Sequence, residues 1–309
     1  MEWAFHISSA DDLQNELSLK HLAVCETSES LRPTVALAAR LIEERFGNVA
    51  FNCCVFGNEF CEHLIPSPDA LEAALSAAQA RQLKFTLLTP YVSNAGIAEL
   101  RKLFAVLAPH GGEVVFNDWG VLNLLRREFP NLSPAQGRLL NKSLRDPRVT
   151  TMYASAPAPA AALSSLQRSN LDCTSYTSFL ARLGVKGIEM DNLPQGNDLS
   201  FAESGIGIAV YLPFGFISTS RICMAAGLHY RKADKFQPGA ACRHECQTHL
   251  LEYTYTNSPF GNRDQKFYLK GNTYFYVHTE AMLRALLEQA ASGQITRLTF
   301  QPRLPMMAA

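Results

Sequence analysis

KFTLLTP at residues 84–90, AGIAELRKLFAVLAPHGG at 95–112 and EVVFN at 113–117 follow one another almost without a gap. The outer two are short β-rich runs. The middle one carries Leu100, Leu103, Phe104 and Leu107 on one helical face, with Gly111 and Gly112 as its stop. Strand, helix and strand in that order predict a parallel pair joined by a crossover. The alternation extends both ways. HLAVC (21–25) precedes the helical PTVALAARLIEERFG, NVAFNCCVF (48–56) precedes DALEAALSAAQARQ, and EVVFN leads into DWGVLNLLRREF. Four such units predict an α/β fold, a TIM-barrel-like parallel barrel with a cysteine-bearing C-terminal insertion.

The segment NLSPAQGRLLNKSLRDPRV (131–149) breaks the rhythm with Pro134 and Pro147 and reads as an inserted helix on a long loop. Alternation resumes in LDCTSYTSFLARLGVKGIEMDN (171–192), with a helix from Ser175 to Leu183 and a strand near Gly187 to Met190. An apolar strand follows at 206–212. The run of KFYLKGNTYFYVH, AMLRALLEQAASG and ITRLTF closes the pattern. Between them, 218–256 holds cysteines and histidines with little periodicity. The expectation is one barrel-like domain over 1–300, with insertions at 131–149 and 218–256 and a loose tail at 301–309.

The chain has 309 residues, 47% hydrophobic and 18% charged, a globular balance with enough apolar residues for a sizeable core. Its formal net charge is zero, so no global field draws nucleic acid or an anionic membrane, and either partner would need a local patch. The most apolar stretch, GIGIAVYLPFGFI (205–217), is shorter than the roughly 18–20 residues of a membrane helix and contains Pro213. No membrane span is expected. MEWAFHISSADDLQNEL lacks the basic-then-apolar pattern of a targeting signal, which leads to the expectation of a cytoplasmic protein.

Eight cysteines in such a protein argue for metal ligation or plain burial rather than a disulfide framework. Cys223, Cys242 and Cys246 lie in the stretch without an apolar period, so no core face claims them. A cysteine-bound iron–sulfur cluster needs four ligands. The fourth candidate is Cys61, just past the C-terminal end of NVAFNCCVF, where parallel barrels gather their ligands. Within that strand Cys53 and Cys54 must point to opposite faces and read as core. Cys25 and Cys173 are weaker candidates. Zinc is the rival metal, with His229, His244 and His249 at hand, although a C-x₃-C pair joined by two distant single cysteines is less typical of a zinc ribbon. HECQTH (244–249) is no zinc-protease motif, because its histidines stand five apart instead of four. No nucleophile elbow or complete glycine-rich phosphate loop appears.

Polar residues at strand ends are the other candidates. Asn117 and Asp118 can orient a substrate hydroxyl or act as a base, or Asp118 can cap the helix that starts at Trp119. Glu59 stands two residues before Cys61, as a catalytic acid beside a metal or as a solvated loop acid. Tyr176 and Asp191 flank the helix and strand of one unit. Arg138, Lys142 and Arg145 recur at i, i+4 and i+7, so a helix there would show a basic stripe, extended by Arg148. Such a stripe can hold phosphate or a carboxylate-rich donor, or simply face solvent. Arg221, close before Cys223, can pair with cluster charge or a substrate carboxylate.

EVVFNDWGVLNLL, LDCTSYTSFLARLGVKGIEM, and SRICMAAG followed by CRHEC together resemble the collagenase-like peptidase family (peptidase family U32), over most of the chain. Many members of that family are iron–sulfur hydroxylation proteins. In length and cysteine plan the chain is similar to the members that serve anaerobic ubiquinone hydroxylation. The resemblance implies a 4Fe–4S cluster on Cys61 (in GNEFC), Cys223, Cys242 and Cys246. It also implies oxygen-independent hydroxylation of a small aromatic substrate such as a quinone precursor, with an organic oxygen donor and a homologous protein partner as the second half of a heterodimer. A non-catalytic cluster-bearing subunit and hydroxylation of an RNA base are its alternatives. Peptidase activity has no motif to support it.

Overall fold

Eight parallel strands close into a barrel in the computed structural model, which describes residues 1–148, 159–201, 205–235, 241–254 and 266–308. Seven of them are β1 (Glu2–Ile7), β2 (Cys53–Gly57), β3 (Lys84–Leu88), β4 (Glu113–Phe116), β5 (Ser133–Gln136), β6 (Gly187–Asp191) and β7 (Gly207–Leu212). The eighth, β12 (Arg297–Phe300), closes the ring between β7 and β1. Helices α2 (Arg32–Phe46), α3 (Pro68–Ala80), α4 (Asn94–Leu107) and α5 (Trp119–Glu128) follow the first four strands in turn. On α4 the side chains of Leu100, Leu103, Phe104 and Leu107 are all buried, each contributing roughly 1.5–3 kcal/mol of apolar transfer. The α/β barrel expected from the alternation is the fold observed.

Side chains alternate between the two faces of every strand. Trp3, Phe5, Cys54, Phe56, Val114, Phe116, Ile208 and Leu298 belong to the large core under the helices. Ala4, Cys53, Val55, Leu88, Val115 and Ala135 form a separate apolar cluster inside the barrel. The opposing faces expected of Cys53 and Cys54 are thus observed. The register carries the inward set on through Glu189 and Asp191 of β6, Tyr211 of β7 and Thr299 of β12. The apolar cluster lies on the β1–β5 side, where His6, Thr86 and Glu113 share its register, and Glu189, Asp191, Tyr211 and Thr299 lie on the other.

Three expectations need correction. HLAVC is not a strand: α1 (Leu19–Leu22) ends within it, because the Ser18 hydroxyl accepts the His21 amide and caps a helical turn. The first barrel strand is EWAFHI, whose alternating Trp3, Phe5 and Ile7 pack outward. The stretch expected as an inserted helix at 131–149, described here to residue 148, instead supplies β5, which pairs with β4 from Glu113↔Ser133 to Phe116↔Gln136. Pro134 disguised that strand. Residues 301–308 are not loose either, since Gln301, Leu304 and Met306 are buried.

The cysteine-bearing insertion grows from the loop after β7. Its strands β8 (Phe214–Thr219), β9 (Leu251–Thr254), β10 (Lys266–Lys270) and β11 (Thr273–Val277) make an antiparallel sheet in the order β8–β11–β10–β9. Helix α8 (Glu280–Ala291) then returns the chain to β12. Between β5 and β6 lie α6 (Ala160–Gln167) and α7 (Thr174–Arg182).

Midway up the barrel Glu189 is buried, and neither of its oxygens has a hydrogen-bond partner among the described residues. Burial pushes its carboxyl up to about 8, and the charge of Glu59 adds to the effect. The folded protein keeps this proton where the unfolded chain loses it, so stability declines as pH rises from the ordinary value of 4.5 and the loss is complete above about 8. The full difference is of order 5 kcal/mol. Glu189→Gln, which cannot titrate, is expected to melt well above the parent at pH 9 and close to it at pH 5. Thermal denaturation across that range checks this, and a pH-independent difference would count against a protonated Glu189.

Candidate functional site

The C-terminal mouth of the barrel is organised by Arg138, whose side chain is completely buried. It leaves the turn after β5, where Gly137 has the Asn117 amide occupying the place a Cβ would take. That amide donates to the Thr89 carbonyl (2.9 Å) and accepts from the Leu139 amide (3.0 Å), which fixes the turn. Arg138 then donates in a fork to both oxygens of Glu59 (2.7 and 2.9 Å) and through Nη1 to Asp191 (2.8 Å). Arg145 holds the other oxygen of Asp191 (3.0 Å) and the Arg138 carbonyl (2.9 Å). The Tyr211 ring lies under the Arg138 guanidinium at 4.1 Å, and the Phe216 ring lies 4.5 Å from that of Arg145. Burial works against the charge of Arg138, but the carboxylates of Glu59 and Asp191 outweigh it and raise its pKa.

The expected basic stripe is therefore absent. Arg138–Leu140 form one 3-10 turn and residues 141–146 are not helical, and Arg138 and Arg145 point inward to carboxylates instead of outward to solvent. Glu59 is likewise no solvated loop acid, being 2% exposed and doubly bonded. Asp118 caps α5: one oxygen accepts the Gly120 amide (2.6 Å) and the other the Val92 amide (3.4 Å). The Tyr176 hydroxyl donates to Gln136 (2.7 Å), tying α7 to β5.

Cys61, Cys223, Cys242 and Cys246 come from three separated segments and lie within one another's electrostatic field. Burial pushes the Cys61 thiol up to about 12; the His63 amide opposes this, and Cys223, Cys242 and Cys246 add like charge. Each sulfur faces an N–H donor. The Ala226 amide reaches Cys223 (3.4 Å), the His244 amide reaches Cys242 (3.4 Å), the Gln247 side chain reaches Cys246 (3.2 Å), and the His63 amide serves Cys61. Asn58 shapes the Cys61 loop by accepting the amides of Phe60 (2.9 Å) and Cys61 (3.0 Å). As the side chains stand, no three His, Cys, Asp or Glu groups among the described residues form a metal shell. The donor set still fits a thiolate-bound group, because N–H dipoles aimed at sulfur favour the charged form that ligates. The histidines do not join this set. His229 turns to Glu245 (3.2 Å), and His249 lies against Thr248 (2.8 Å).

The tip of the β10–β11 hairpin joins these segments. Asn272 donates to the carbonyls of Phe60 (2.8 Å) and Ser220 (2.7 Å), so one amide holds the Cys61 and Cys223 loops together. Gly271, at φ +62°, packs so closely on Cys246 and Met306 that a Cβ would come within 3.2 Å of Cys246 and 2.6 Å of Met306. Lys270 is buried beside Cys246 and donates to Met307. Sequence reasoning passed over this trio, although Lys-Gly-Asn between two alternating runs is a hairpin signal.

Beside the cysteines lies a cavity of ≈ 710 Å³ lined by Tyr91, Asn117, Lys142, Arg145, Arg168 and Phe216, among others. Three of its lining residues are cationic and none is acidic. Tyr91 connects it to the sulfurs: Cys61 acts on its hydroxyl, and Arg221 stacks on its ring at 5.4 Å while donating to the Val92 carbonyl (3.3 Å). Of the expected substrate-binding residues, Asn117 and Arg145 line this cavity, whereas Arg138 and Asp191 stand behind it. Arg148, at the end of the expected stripe, meets Asp146 instead.

Removing Arg138 leaves two buried carboxylates without their cation. Arg138→Ala is expected to cost about 3–5 kcal/mol in urea denaturation, against under about 1 kcal/mol for Arg45→Ala, whose pair with Glu288 is exposed. Equal effects would mean that the buried network contributes no more than a surface pair. No protein-family model matches the chain, and no curated protein matches it. Among solved structures, it is similar to a U32 peptidase at 11% identity, with 100% of this chain and 94% of that chain covered and a TM-score of 0.41. An immunomodulatory chitinase from Trichuris suis follows at 9% identity, 81% and 83% coverage and a TM-score of 0.26. The second catalytic domain of a group II chitinase from Ostrinia furnacalis stands at 11%, 97% and 70%, and 0.20. These likenesses concern overall shape, from which function does not follow.

Proposed function

We propose that the chain is an iron–sulfur protein in which Cys61, Cys223, Cys242 and Cys246 hold a 4Fe–4S cluster at the barrel mouth. The observation that supports this reading is that four thiols from three distant segments lie near enough to act on one another electrostatically, each facing an N–H donor. A bound cluster would supply one-electron chemistry at the edge of the adjoining cavity. The proposed activity is oxygen-independent hydroxylation of a small aromatic substrate, with an organic molecule as oxygen donor and a homologous protein as partner, in the cytoplasm. Tyr91 and Phe216 supply the aromatic part of the lining for such a substrate, and Lys142 suits a donor bearing carboxylates, Arg145 and Arg168 being already paired with Asp191 and Asp198. Asn117 shapes the same space through the turn that its amide fixes, while Arg138, Glu59 and Asp191 hold Arg145 in place.

Protein purified without oxygen is expected to be brown and to hold about four irons per chain. Alanine at Cys61, Cys223, Cys242 or Cys246 should abolish the colour, whereas Cys53→Ala, inside the barrel, should keep it. A colourless protein containing zinc would overturn the cluster.

The hydroxylation reading has its own test. Small metabolites and digested RNA from cells with and without the gene are compared by mass. One aromatic metabolite lacking a single oxygen is the expected difference, an RNA base lacking one would redirect the substrate class, and identical profiles would leave the chain without a hydroxylase role. Restoration of the oxygen by the purified protein alone would remove the need for a partner.

A further inference from the structure

Residues 221–249, the stretch that carries Cys223, Cys242 and Cys246, hold five lysines and arginines against two carboxylates, in a chain whose net charge is zero. One of the two, Glu245, is buried, with the His229 ring 3.2 Å from one oxygen and the Arg243 amide 3.2 Å from the other. The second, Asp234, stands among Arg231, Lys232 and Lys235. On the Cys61 loop Glu59 is neutralised by Arg138, and Glu62 accepts the Ser93 amide (2.8 Å), so the excess around the cysteines stays positive.

The contact of His229 with Glu245 folds the 3-10 turn after Cys223 (Ala226–His229) against the segment between Cys242 and Cys246. Arg231 follows His229 by two residues, a span of at most about 7 Å. Arg231 and Lys232 are thus held close to the segment that bears Arg243. All three are exposed, and none has a carboxylate at ion-pair distance among the described residues. Leu228, 43% exposed, belongs to the same turn. Cys61, Cys223 and Cys242 are themselves only half-buried, so the sulfur site lies just under this rim.

An exposed apolar residue among unpaired cations fits a small acidic protein, because complementary charge steers the encounter and a small apolar contact holds it. Encounters between redox proteins are of this kind and bury less than about 1,200 Å². Leu228, Arg231, Lys232 and Arg243 are not among the residues that line the cavity of ≈ 710 Å³, so docking on them leaves its lining free for substrate.

We propose that this rim docks an acidic one-electron carrier protein of the ferredoxin or flavodoxin class, an inference that rests on the cluster reading. A group that works one electron at a time has to be reduced from outside. In each encounter one electron leaves the reduced carrier and enters the thiolate-bound group, so the carrier is oxidised by one electron and that group is reduced by one, with no bond made or broken.

The test uses full-length protein purified without oxygen, with iron measured on every sample, and reduced ferredoxin or reduced flavodoxin as the probe. Calorimetry at low and high salt reads binding, and stopped-flow visible absorbance reads electron transfer. Arg231→Glu and Lys232→Glu together should weaken binding by about tenfold or more at low salt, slow reduction in proportion and lose less affinity on adding salt. Arg126→Glu, the same change of charge at an exposed position of α5, should alter either by less than about twofold. The carrier that reduces the protein faster identifies the class. Iron-bearing protein that binds neither carrier at low salt, or equal losses in the rim and Arg126 variants, would overturn the docking surface and keep the cluster. An iron-free chain that still binds a carrier through the rim would overturn the cluster and keep the docking surface. Loss of iron in the rim variants with carrier binding unchanged would mean that these cations only balance the thiolates. A short single-stranded RNA bound at Arg231 and Lys232 in place of either carrier would make the rim a nucleic-acid surface and overturn the proposal.

Discussion

Arg138 is a permanent cation sealed inside the protein, and much of the mouth is arranged to keep it there. A guanidinium taken out of water costs several kcal/mol unless its donors are met. Glu59, on the loop that carries Cys61, and Asp191, at the end of β6, meet them, and Asp191 in turn anchors Arg145. The network therefore ties the loop after β2 to the turn after β5 and the end of β6. A shift in any of these would leave a buried charge uncompensated, which makes the mouth stiff where a binding cavity needs definition.

A second arginine closes the other end. Arg297 bridges Glu2 and Glu113 across the barrel floor, as Arg138 bridges Glu59 and Asp191 near its top. Between these two plugs the apolar cluster of β1 to β5 faces the polar side chains of Glu189, Tyr211 and Thr299. A barrel packed entirely with aliphatic side chains would gain more from burial. This one keeps ionisable groups at its centre, where their charge states depend on one another.

Periodicity made most of the barrel legible. The helices after β2, β3 and β4 carry clean apolar faces, and their strands end where glycine or polar residues begin. It failed where local signals competed. Pro134 removes a donor and masked a four-residue strand that tertiary pairing nevertheless recruits. HLAVC is apolar enough for a strand, but Ser18 in front of it caps a helix. The late cysteines stood out in the sequence because no apolar period claimed them, and Cys61 by its place past a strand end; in the fold Cys246 nevertheless joins the large core and Cys61 packs against it. Arg138 and Arg145 were legible as cations but not in orientation, because their partners Glu59 and Asp191 lie far away in sequence. The part played by Asn272 had no signal beyond its turn, for its two acceptors are backbone carbonyls that any residue could present.

The hairpin tip that gathers the cysteine loops lies near the end of the chain, and the strand that closes the barrel lies later still. During synthesis Cys61 emerges early and waits exposed until Cys223, Cys242 and Cys246, then Asn272, and finally β12 have followed. In chain order the four cysteines and the amide that joins their loops are complete only shortly before the closing strand. A chain interrupted before Asn272 would lack the one amide that joins the Cys61 loop to the Cys223 loop, however completely the earlier strands had paired.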